Sequence, residues 1–283
     1  DSLNIVGVGI GGVTFNVSSG YSENISSAIT ITATGTVSNP IIFQKSGGGA
    51  NPVVTRTDAG SLLTSVRGGA GDAVIRFEGT DYITFNGINV AATDQEIEYG
   101  YLTHKPSGTN GCQNVTITNS TITLIKGISP YISGIYIGNG TNSVSSSAGV
   151  TVTNSSGINS NIILIGNTIQ NVHNGILSIG SSATGFYDSD IIIGQSGAGN
   201  TIQNFGGGIA DTSYGVYFRY VNNPAITYNT IDNAAGGGVP QSYNEYLIFF
   251  SIVSGDLIVN NNTLSINNSS TRASGFVYNN NNT

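Results

Sequence analysis

The sequence predicts an all-β fold, a β-solenoid of about eight or nine coils with roughly 30 residues each. The first observation is a recurring phrase in which an apolar–x–apolar strand leads to Asn, then Ser or Thr, then Ile or Leu. Its closing residues lie 47, 33, 29 and 33 positions apart, at Ile122, Ile169, Ile202, Ile231 and Leu264. The second is an apolar run that opens on glycine and follows four of the copies, at Gly134, Gly175, Gly215 and Gly275. Neither run has a helical period, so both indicate short strands.

The composition supports a solenoid and argues against several classes of function. Of the 283 residues, 8% are charged and 40 are glycine, against roughly 25% charged residues in an ordinary domain. Regularly placed Ile and Val distinguish the chain from a disordered one. The net charge of −7 and the lack of a Lys/Arg cluster argue against nucleic-acid binding. No apolar run approaches the ~18 residues of a membrane helix, so no transmembrane segment is predicted.

Along the chain, the first part is less regular than the rest. Residues 1–66 are predicted to form an N-terminal cap and a first irregular coil, from strand-like runs separated by turn-forming residues. Regular coils are predicted over 67–283, and the lack of a linker predicts one domain over 1–283. Because the chain starts without Met and stops inside a repeat, we expect a fragment of a longer protein. Its coil ends would be continued by further domains or covered by another molecule.

Alternation along the strands predicts which side chains form the core. Period two places Ile83 with Phe85, and Val115 with Ile117, on the same side of their strands. Stacked at about 4.8 Å per coil, such residues form ladders of Ile and Val inside a rod about 40 Å long.

The asparagine of the recurring phrase is predicted to be structural. Asn tolerates the left-handed backbone region that a corner between two strands requires. Stacked corner amides also hydrogen-bond from coil to coil, as they do in cross-β stacks. The predicted ladder consists of Asn119, Asn167, Asn200, Asn229 and Asn262. A glycan-binding or ice-binding array on this column is the functional alternative.

A family resemblance is carried by several stretches, most specifically within the first 120 residues. These stretches are 14–17, 32–35, 39–46, 51–52, 81–88, 98–101 and 111–119. In them the chain resembles large, adhesin-like bacterial surface proteins with right-handed parallel β-helix repeats, typically exported by type IX secretion. The resemblance extends over nearly the whole chain. It implies a right-handed parallel β-helix and a secreted, extracellular cell-surface location, and it supplies no catalytic residues.

Polysaccharide lyases and hydrolases also use parallel β-helices, so catalysis has to be considered. Their chemistry needs paired carboxylates, or a base beside a cation-stabilised carboxylate. The acidic residues here are few and scattered, and the galacturonase-like set of Asn-Thr-Asp, Asp-Asp, His-Gly and Arg-x-Lys is missing as a set. Asn167-Thr168, for example, continues to Ile169. We therefore predict no catalytic residues and no enzymatic activity.

Two acidic clusters are candidate metal sites. Asp94, Glu96 and Glu98 alternate, so on a strand all three would project from one face and could bind Ca²⁺ through oxygen ligands. The alternative is a loop whose charges are solvated. Asp188 and Asp190 flank the entry to a strand, where they could chelate a cation or cap a turn through local amides. The solvated loop and the turn cap are the favoured interpretations, so no cofactor is predicted beyond this candidate Ca²⁺.

Single reactive or aromatic side chains have structural interpretations as well. Cys112 is the only cysteine, so no intrachain disulfide forms, and a small buried residue is predicted. His173 has no acid–base partner in the sequence and is predicted to be a loop residue. A partly exposed sugar-stacking strip is conceivable for the aromatic residues Tyr136, Tyr217, Phe218, Tyr220 and Tyr228.

Two functions follow from these observations. The repeat, the low charge and the family resemblance favour a non-enzymatic structural or adhesive module, a rigid rod that presents variable loops at the cell surface. Its partners would be surface glycans, or other cell-surface or secretion-system proteins. The alternative is a polysaccharide-binding or polysaccharide-degrading β-helix, which rests on analogy of fold. A pair of carboxylates in a groove would favour the alternative.

Overall fold

The computed structural model describes residues 2–62, 71–141, 149–207, 209–237, 243–267 and 273–279. A five-residue helix, α1 (Ser2–Val6), precedes a long series of short strands, and a 3-10 turn lies at Ser155–Gly157. Over these residues, no helix has the length and apolar character needed to cross a bilayer. Each turn of the chain about the molecular axis contributes three strands, and we call one such turn a coil.

The described strands form eight coils. Coils 1 to 4 are β1 (Val13–Ser18), β2 (Ser22–Ile25), β3 (Ile29–Ile31); β4 (Ile41–Ser46), β5 (Val53–Arg56), β6 (Ala73–Glu78); β7 (Ile83–Asn86), β8 (Asn89–Ala92), β9 (Tyr99–His104); β10 (Gln113–Thr118), β11 (Thr121–Thr123), β12 (Ser133–Ile137). Coils 5 and 6 are β13 (Ser160–Ile165), β14 (Thr168–Val172), β15 (Asn174–Ile179); β16 (Asp188–Ile193), β17 (Thr201–Phe205), β18 (Ser213–Arg219). In coils 7 and 8 the first strand is split: β19 (Val221–Asn222), β20 (Ala225–Thr227), β21 (Thr230–Asp232), β22 (Glu245–Phe250); β23 (Val253–Ser254), β24 (Ile258–Asn260), β25 (Thr263–Ser265), β26 (Ala273–Tyr278).

Corresponding strands of successive coils pair in parallel and build three long sheets. Sheet A runs from β1 through β4, β7, β10, β13 and β16 to the split strands β19/β20 and β23/β24. Sheet B runs β2-β5-β8-β11-β14-β17-β21-β25, and sheet C runs β3-β6-β9-β12-β15-β18-β22-β26. This arrangement is a right-handed parallel β-helix, which confirms the predicted fold.

The N-terminal part is more regular than the sequence predicts. Residues 1–66 include α1, all of coil 1 and two of the three strands of coil 2, where the sequence predicts a cap and one irregular coil. β1 pairs with β4 over its full length, from Val13 opposite Ile41 to Ser18 opposite Ser46. The long segment between β5 and β6 conceals this regularity, because it separates the strands of coil 2 in the sequence.

Aliphatic side chains stacked coil upon coil fill the interior. On sheet B, one inward column consists of the register partners Val54, Val90, Ile122, Ile169, Ile202, Ile231 and Leu264. Its four isoleucines are completely buried, and each such side chain contributes roughly 1.5–3 kcal/mol by leaving water. The closing Ile of the recurring phrase is therefore part of the core.

The two ends of the stack differ. At the N-terminal end, Asn4 of α1 covers the edge of β3: its Nδ2 donates to Thr30 O at 2.8 Å, and its Oδ1 accepts from Thr32 N at 2.9 Å. At the other end, inward positions of coil 8 reach the surface, with Leu264 36% and Phe276 47% exposed. The helix thus satisfies an edge that would otherwise offer unpaired backbone groups.

A column of glycines lets sheets B and C meet closely at their shared corner. Gly134, Gly175 and Gly215 lie near the starts of β12, β15 and β18, in equivalent register positions. A Cβ on Gly175 would lie 2.6 Å from Ile202 Cγ2, in the inward column of sheet B. Equivalent contacts explain the glycine in three of the four copies of the second recurring phrase, at Gly134, Gly175 and Gly215.

Substituting Gly175 by Ala should lower the free energy of unfolding by about 1–3 kcal/mol, because the added methyl overpacks this corner. Urea denaturation measures the change. G275A is the matched control, since a Cβ at Gly275 has no atom within 4 Å. Equal stabilities of the two variants would contradict the close approach of the sheets.

Candidate functional site

The acidic residues at 94–98 do not lie on one face of a strand. β8 ends at Ala92 and β9 begins at Tyr99, so all three occupy the connecting turn. Asp94 Oδ1 accepts a hydrogen bond from Glu96 N at 2.8 Å, whereas Glu98 is buried and accepts from Asp72 N at 2.7 Å. The one-face arrangement requires extended backbone, whereas the backbone here curls into a loop, the interpretation that the sequence favours.

Asp188 is the anionic partner of a buried ion pair. Its Oδ1 lies 2.6 Å from Lys105 Nζ, and both side chains are completely buried. Asn159 donates to the same carboxylate through its backbone N at 2.9 Å and its Nδ2 at 2.8 Å. Removing two charges from water costs several kcal/mol each, which close pairing and additional hydrogen bonds offset. Asp188 is therefore part of the scaffold.

Asp190 does not join Asp188 in a metal site. Its backbone is left-handed, at φ 55°, and its carboxylate accepts from Asn223 Nδ2 at 3.2 Å. Across the portion of the chain with described coordinates, no three His, Cys, Asp or Glu side chains are grouped so as to hold a metal ion. No local sequence pattern marks the Lys105–Asp188 pair, because its members are 83 positions apart.

Cys112 lies next to this ion pair in the interior. Its backbone N donates to Asn159 Oδ1 at 2.9 Å, so Cys112, Asn159 and Asp188 form a short column of side-chain-to-backbone bonds. Burial raises the pKa of the Cys112 thiol to about 12. Because the thiolate is the nucleophilic form, Cys112 is no candidate nucleophile. His173 is likewise buried, between β14 and β15, with Nε2 3.0 Å from Thr212 O.

A ladder of asparagine side chains follows the corner between sheets A and B. Asn200 Oδ1 accepts from Asn167 N at 2.9 Å and from Asn167 Nδ2 at 3.1 Å. The same two bonds join Asn229 to Asn200 and Asn262 to Asn229. Each amide also donates to a strand carbonyl, such as Asn200 Nδ2 to Leu164 O at 2.8 Å. The ladder thereby satisfies backbone groups that the corner leaves without a sheet partner.

Asn119 is not part of this ladder, contrary to the prediction. Ser120 takes the position: its N donates to Asn167 Oδ1 at 3.1 Å, and its Oγ accepts from Ile88 N at 3.2 Å. Asn119 instead donates through Nδ2 to Asn86 Oδ1 at 2.9 Å. The reason is spacing, since two residues separate Asn119 from Ile122 and only one separates each other asparagine from its closing residue.

At this corner, the residues with left-handed backbone are ones that precede a ladder asparagine. Gly166, Tyr228 and Asn261 have φ values of 65°, 61° and 53°. None of the four ladder asparagines, all of them described, has a positive φ. Asparagine therefore serves at the ladder through its amide, which donates and accepts at once, and not through tolerance of the left-handed region.

The outer face of sheet C carries four aromatic side chains near the C-terminal end, which we call the aromatic patch: Tyr214, Tyr217, Tyr246 and Phe249. The ring centroid of Tyr214 is 4.7 Å from that of Tyr217 and 5.6 Å from that of Tyr246, both in stacked orientation. Phe249 meets Tyr217 edge-on at 5.3 Å. Tyr214, Tyr246 and Phe249 are half-buried and so retain accessible surface. The patch is uncharged and continues a buried outer cluster that includes Tyr99 and Tyr136.

The predicted aromatic strip is only partly assembled. Tyr136 and Tyr217 share the outer cluster on sheet C, whereas Phe218 faces the core, and Tyr220 and Tyr228 adopt left-handed backbone, at φ 58° and 61°. The strip predicted from the sequence does not include Tyr214, Tyr246 and Phe249. Their signal is a repeated i, i+3 aromatic spacing, Tyr214–Tyr217 and Tyr246–Phe249. Strict period two places residues three apart on opposite faces, so this spacing is misleading for a regular strand.

Lys126 is held by backbone and amide oxygens of a later coil. Its Nζ donates to Asn204 O at 3.0 Å, Asn204 Oδ1 at 2.8 Å and Gly206 O at 2.6 Å. Burial lowers the pKa of Lys126 to about 8, and the charge of Glu245 opposes this shift. Lys126 therefore links the loop after β11 to the end of β17.

Comparison with known proteins yields distant likenesses. No protein-family model and no curated protein sequence matches the chain. Among solved structures, it is similar to two of PfbA, a surface adhesin of Streptococcus pneumoniae. One aligns at 12% identity and a TM-score of 0.37, covering 96% of this chain and 72% of that chain. The other aligns at 12% identity and a TM-score of 0.37, covering 92% and 78%.

A further likeness is to the catalytic domain of a GH87 alpha-1,3-glucanase in complex with nigerose. It aligns at 14% identity and a TM-score of 0.17, covering 95% of this chain and 65% of that chain. At such identities and TM-scores, none of these likenesses carries an argument about function. The fold is defined by the sheet pairing described above.

The Asn200→Leu substitution should destabilise the protein by about 1–3 kcal/mol, because the buried N–H of Asn167 loses its acceptor. Chemical denaturation followed by circular dichroism measures the change. N119G is the matched control: it removes an exposed asparagine outside the ladder, and glycine accepts the φ of 54° at that position. Its stability should stay within about 0.5 kcal/mol of the native chain. A loss for N119G as large as for N200L would refute the assignment of the ladder.

The lowered pKa of Lys126 predicts how the stability of the protein depends on pH. Below pH 8 the lysine is protonated in both folded and unfolded chains. Between pH 8 and the ordinary lysine pKa of 10.5 the unfolded chain binds more protons than the folded one, so stability should rise with pH. The measurement is the difference in unfolding free energy between the native chain and K126Q from pH 7 to 9.5. A difference that is flat or that moves against the native chain over this range would be inconsistent with a lowered pKa.

Proposed function

We propose that this chain is a non-enzymatic adhesive module of a secreted or cell-surface protein, a rigid β-helical rod that binds glycans outside the cell. Export by type IX secretion, implied by the family resemblance, belongs to this proposal. The observation that carries it is the aromatic patch, an uncharged and partly accessible surface on the outer face of sheet C. The rod itself is held by interior contacts, so its loops and the accessible parts of its outer faces are available for recognition.

The chemistry of the patch suits carbohydrate. A tyrosine ring offers a flat apolar face and a hydroxyl that hydrogen-bonds at its edge. Sugar rings present the complementary combination, apolar C–H faces with hydroxyls around the rim. Tyr214 and Tyr246 are register partners on β18 and β22, so their rings repeat along the rod axis at the spacing of adjacent coils. Because the faces of these two rings stack on each other, a glycan would contact their edges and hydroxyls along the rod axis.

The surroundings of the candidate reactive groups support binding without catalysis. Asp188 is neutralised by Lys105, and Glu98 accepts a backbone N–H in the interior. The Cys112 thiol keeps its proton at neutral pH because burial raises its pKa. These groups stabilise the scaffold, and none of them lies in the aromatic patch.

Binding to immobilised acidic and neutral polysaccharides, measured by surface plasmon resonance, tests this function. Replacing both Tyr214 and Tyr246 by Ala should weaken binding roughly tenfold or more, because aromatic anchors carry most of the energy of such surfaces. Y187A is the matched control, since Tyr187 is a half-buried aromatic residue outside the patch. Circular dichroism establishes that each variant is folded.

Three outcomes would count against this function. Unchanged affinity in the folded Y214A/Y246A variant would remove the patch as the binding surface. Lack of binding to every polysaccharide would remove glycans as the ligand class. New reducing ends or unsaturated products after incubation would show that the chain is an enzyme.

A further inference from the structure

An apolar cavity of about 210 Å³ opens at the N-terminal end of the solenoid, within coils 1 to 3. One wall is formed by Phe15, Phe43 and Phe85, register partners on sheet A whose rings stack with centroids 4.5 Å and 4.7 Å apart. Val54 of sheet B and Ile75 of sheet C line the cavity from the other two sheets. Because all three sheets contribute, the cavity lies inside the coil.

A single charged side chain stands in this lining. Glu23 is the register partner of Val54, so it occupies the inward column of sheet B at coil 1. Every later member of that column, from Val54 to Leu264, is Val, Ile or Leu. Glu23 is exposed, and Tyr21, which also lines the cavity, is 49% exposed. The carboxylate therefore lies at the open end, and the buried Phe85 and Ile88 lie at the closed end.

We propose that this cavity binds the hydrocarbon tail of a small amphiphile whose head group is a primary ammonium held by Glu23. Protein interiors rarely leave voids larger than a water molecule, so an apolar space of this size is suited to an occupant. An apolar cavity of about 150 Å³ accommodates benzene, and the larger volume here accommodates a tail of roughly six to eight carbons. The apolar lining offers a polar tail no hydrogen-bond partner, whereas the carboxylate attracts a cationic head.

The placement of the charge decides how the ligand enters. The tail must lead towards Phe85, and the ammonium must stop at the mouth beside Glu23. A lysine side chain of a protein partner does not meet this requirement, because it would enter with its ammonium first. The ligand class is therefore a free alkylamine or an amine with an apolar ring.

Isothermal titration calorimetry with four probes tests the site. Hexylammonium should bind, and hexan-1-ol of the same length should bind roughly threefold more weakly, the difference expected of one solvent-exposed ion pair. Hexanoate should be the weakest of the six-carbon probes, because its charge is repelled by Glu23. Ethylammonium, which carries the charge without the tail, should give no heat at the same concentrations.

Variants separate the tail from the head group. V54F fills the cavity and should weaken both hexylammonium and hexan-1-ol at least tenfold. V259F is its matched control, since Val259 lies in the Phe85 column at the opposite end of the rod and should leave binding unchanged. E23Q should retain hexan-1-ol binding and lose the preference for hexylammonium. If V54F does not fold by circular dichroism, I29F fills the same cavity from β3.

The proposal is overturned if no six-carbon probe binds up to its solubility limit. It is overturned equally if the folded cavity-filling variants bind the probes as the native chain does. Equal affinities of hexanoate and hexylammonium, or an ammonium preference that survives E23Q, would overturn the role of Glu23. None of these outcomes depends on glycan binding at the aromatic patch, so the two proposals fail separately.

Discussion

The constraint on which the rest of this structure depends is the in-register parallel stacking of successive coils. Each inward side chain lies between its counterparts in the two neighbouring coils and contacts them. The side chains of one column must therefore be similar in size and polarity. The aliphatic column of sheet B and the ladder from Asn167 to Asn262 are two results of this one rule. In the first, the shared property is apolar volume, and in the second it is an amide that donates to one neighbour and accepts from another.

The same rule separates the scaffold from the surfaces available for recognition. Ile, Val and Asn side chains fill the columns inside the rod. A charged side chain there needs an ion-pair or hydrogen-bond partner, as Lys105 has in Asp188. What remains for function is the outside of the sheets, the loops and the two ends. The aromatic patch belongs to the first of these, and its rings follow the coil spacing because they too are register partners on neighbouring strands.

The sequence predicted the solenoid, its coil length and the inward Ile column, because these features repeat and need no knowledge of distant contacts. It failed where two distant positions meet, as Lys105 and Asp188 do, because nothing local marks either residue for the other. It also failed where one residue of spacing matters. Asn119 has the composition of a ladder position, but Ser120 has the correct distance to Ile122, and Tyr214 shares a face with Tyr217 only because the strand departs from strict alternation.

Departures from a column are therefore more informative than the column itself. A polar residue can replace an aliphatic one only where a partner inside the rod compensates it or where solvent reaches it. Asp188 meets the first condition, since Val221 and Val253 follow it in register and Lys105 neutralises it. Glu23 meets the second, because it stands at the mouth of the first coil, above a cavity that its column would otherwise fill with an aliphatic side chain. The first departure stabilises the rod, and the second leaves a charge facing an apolar space that a ligand can reach.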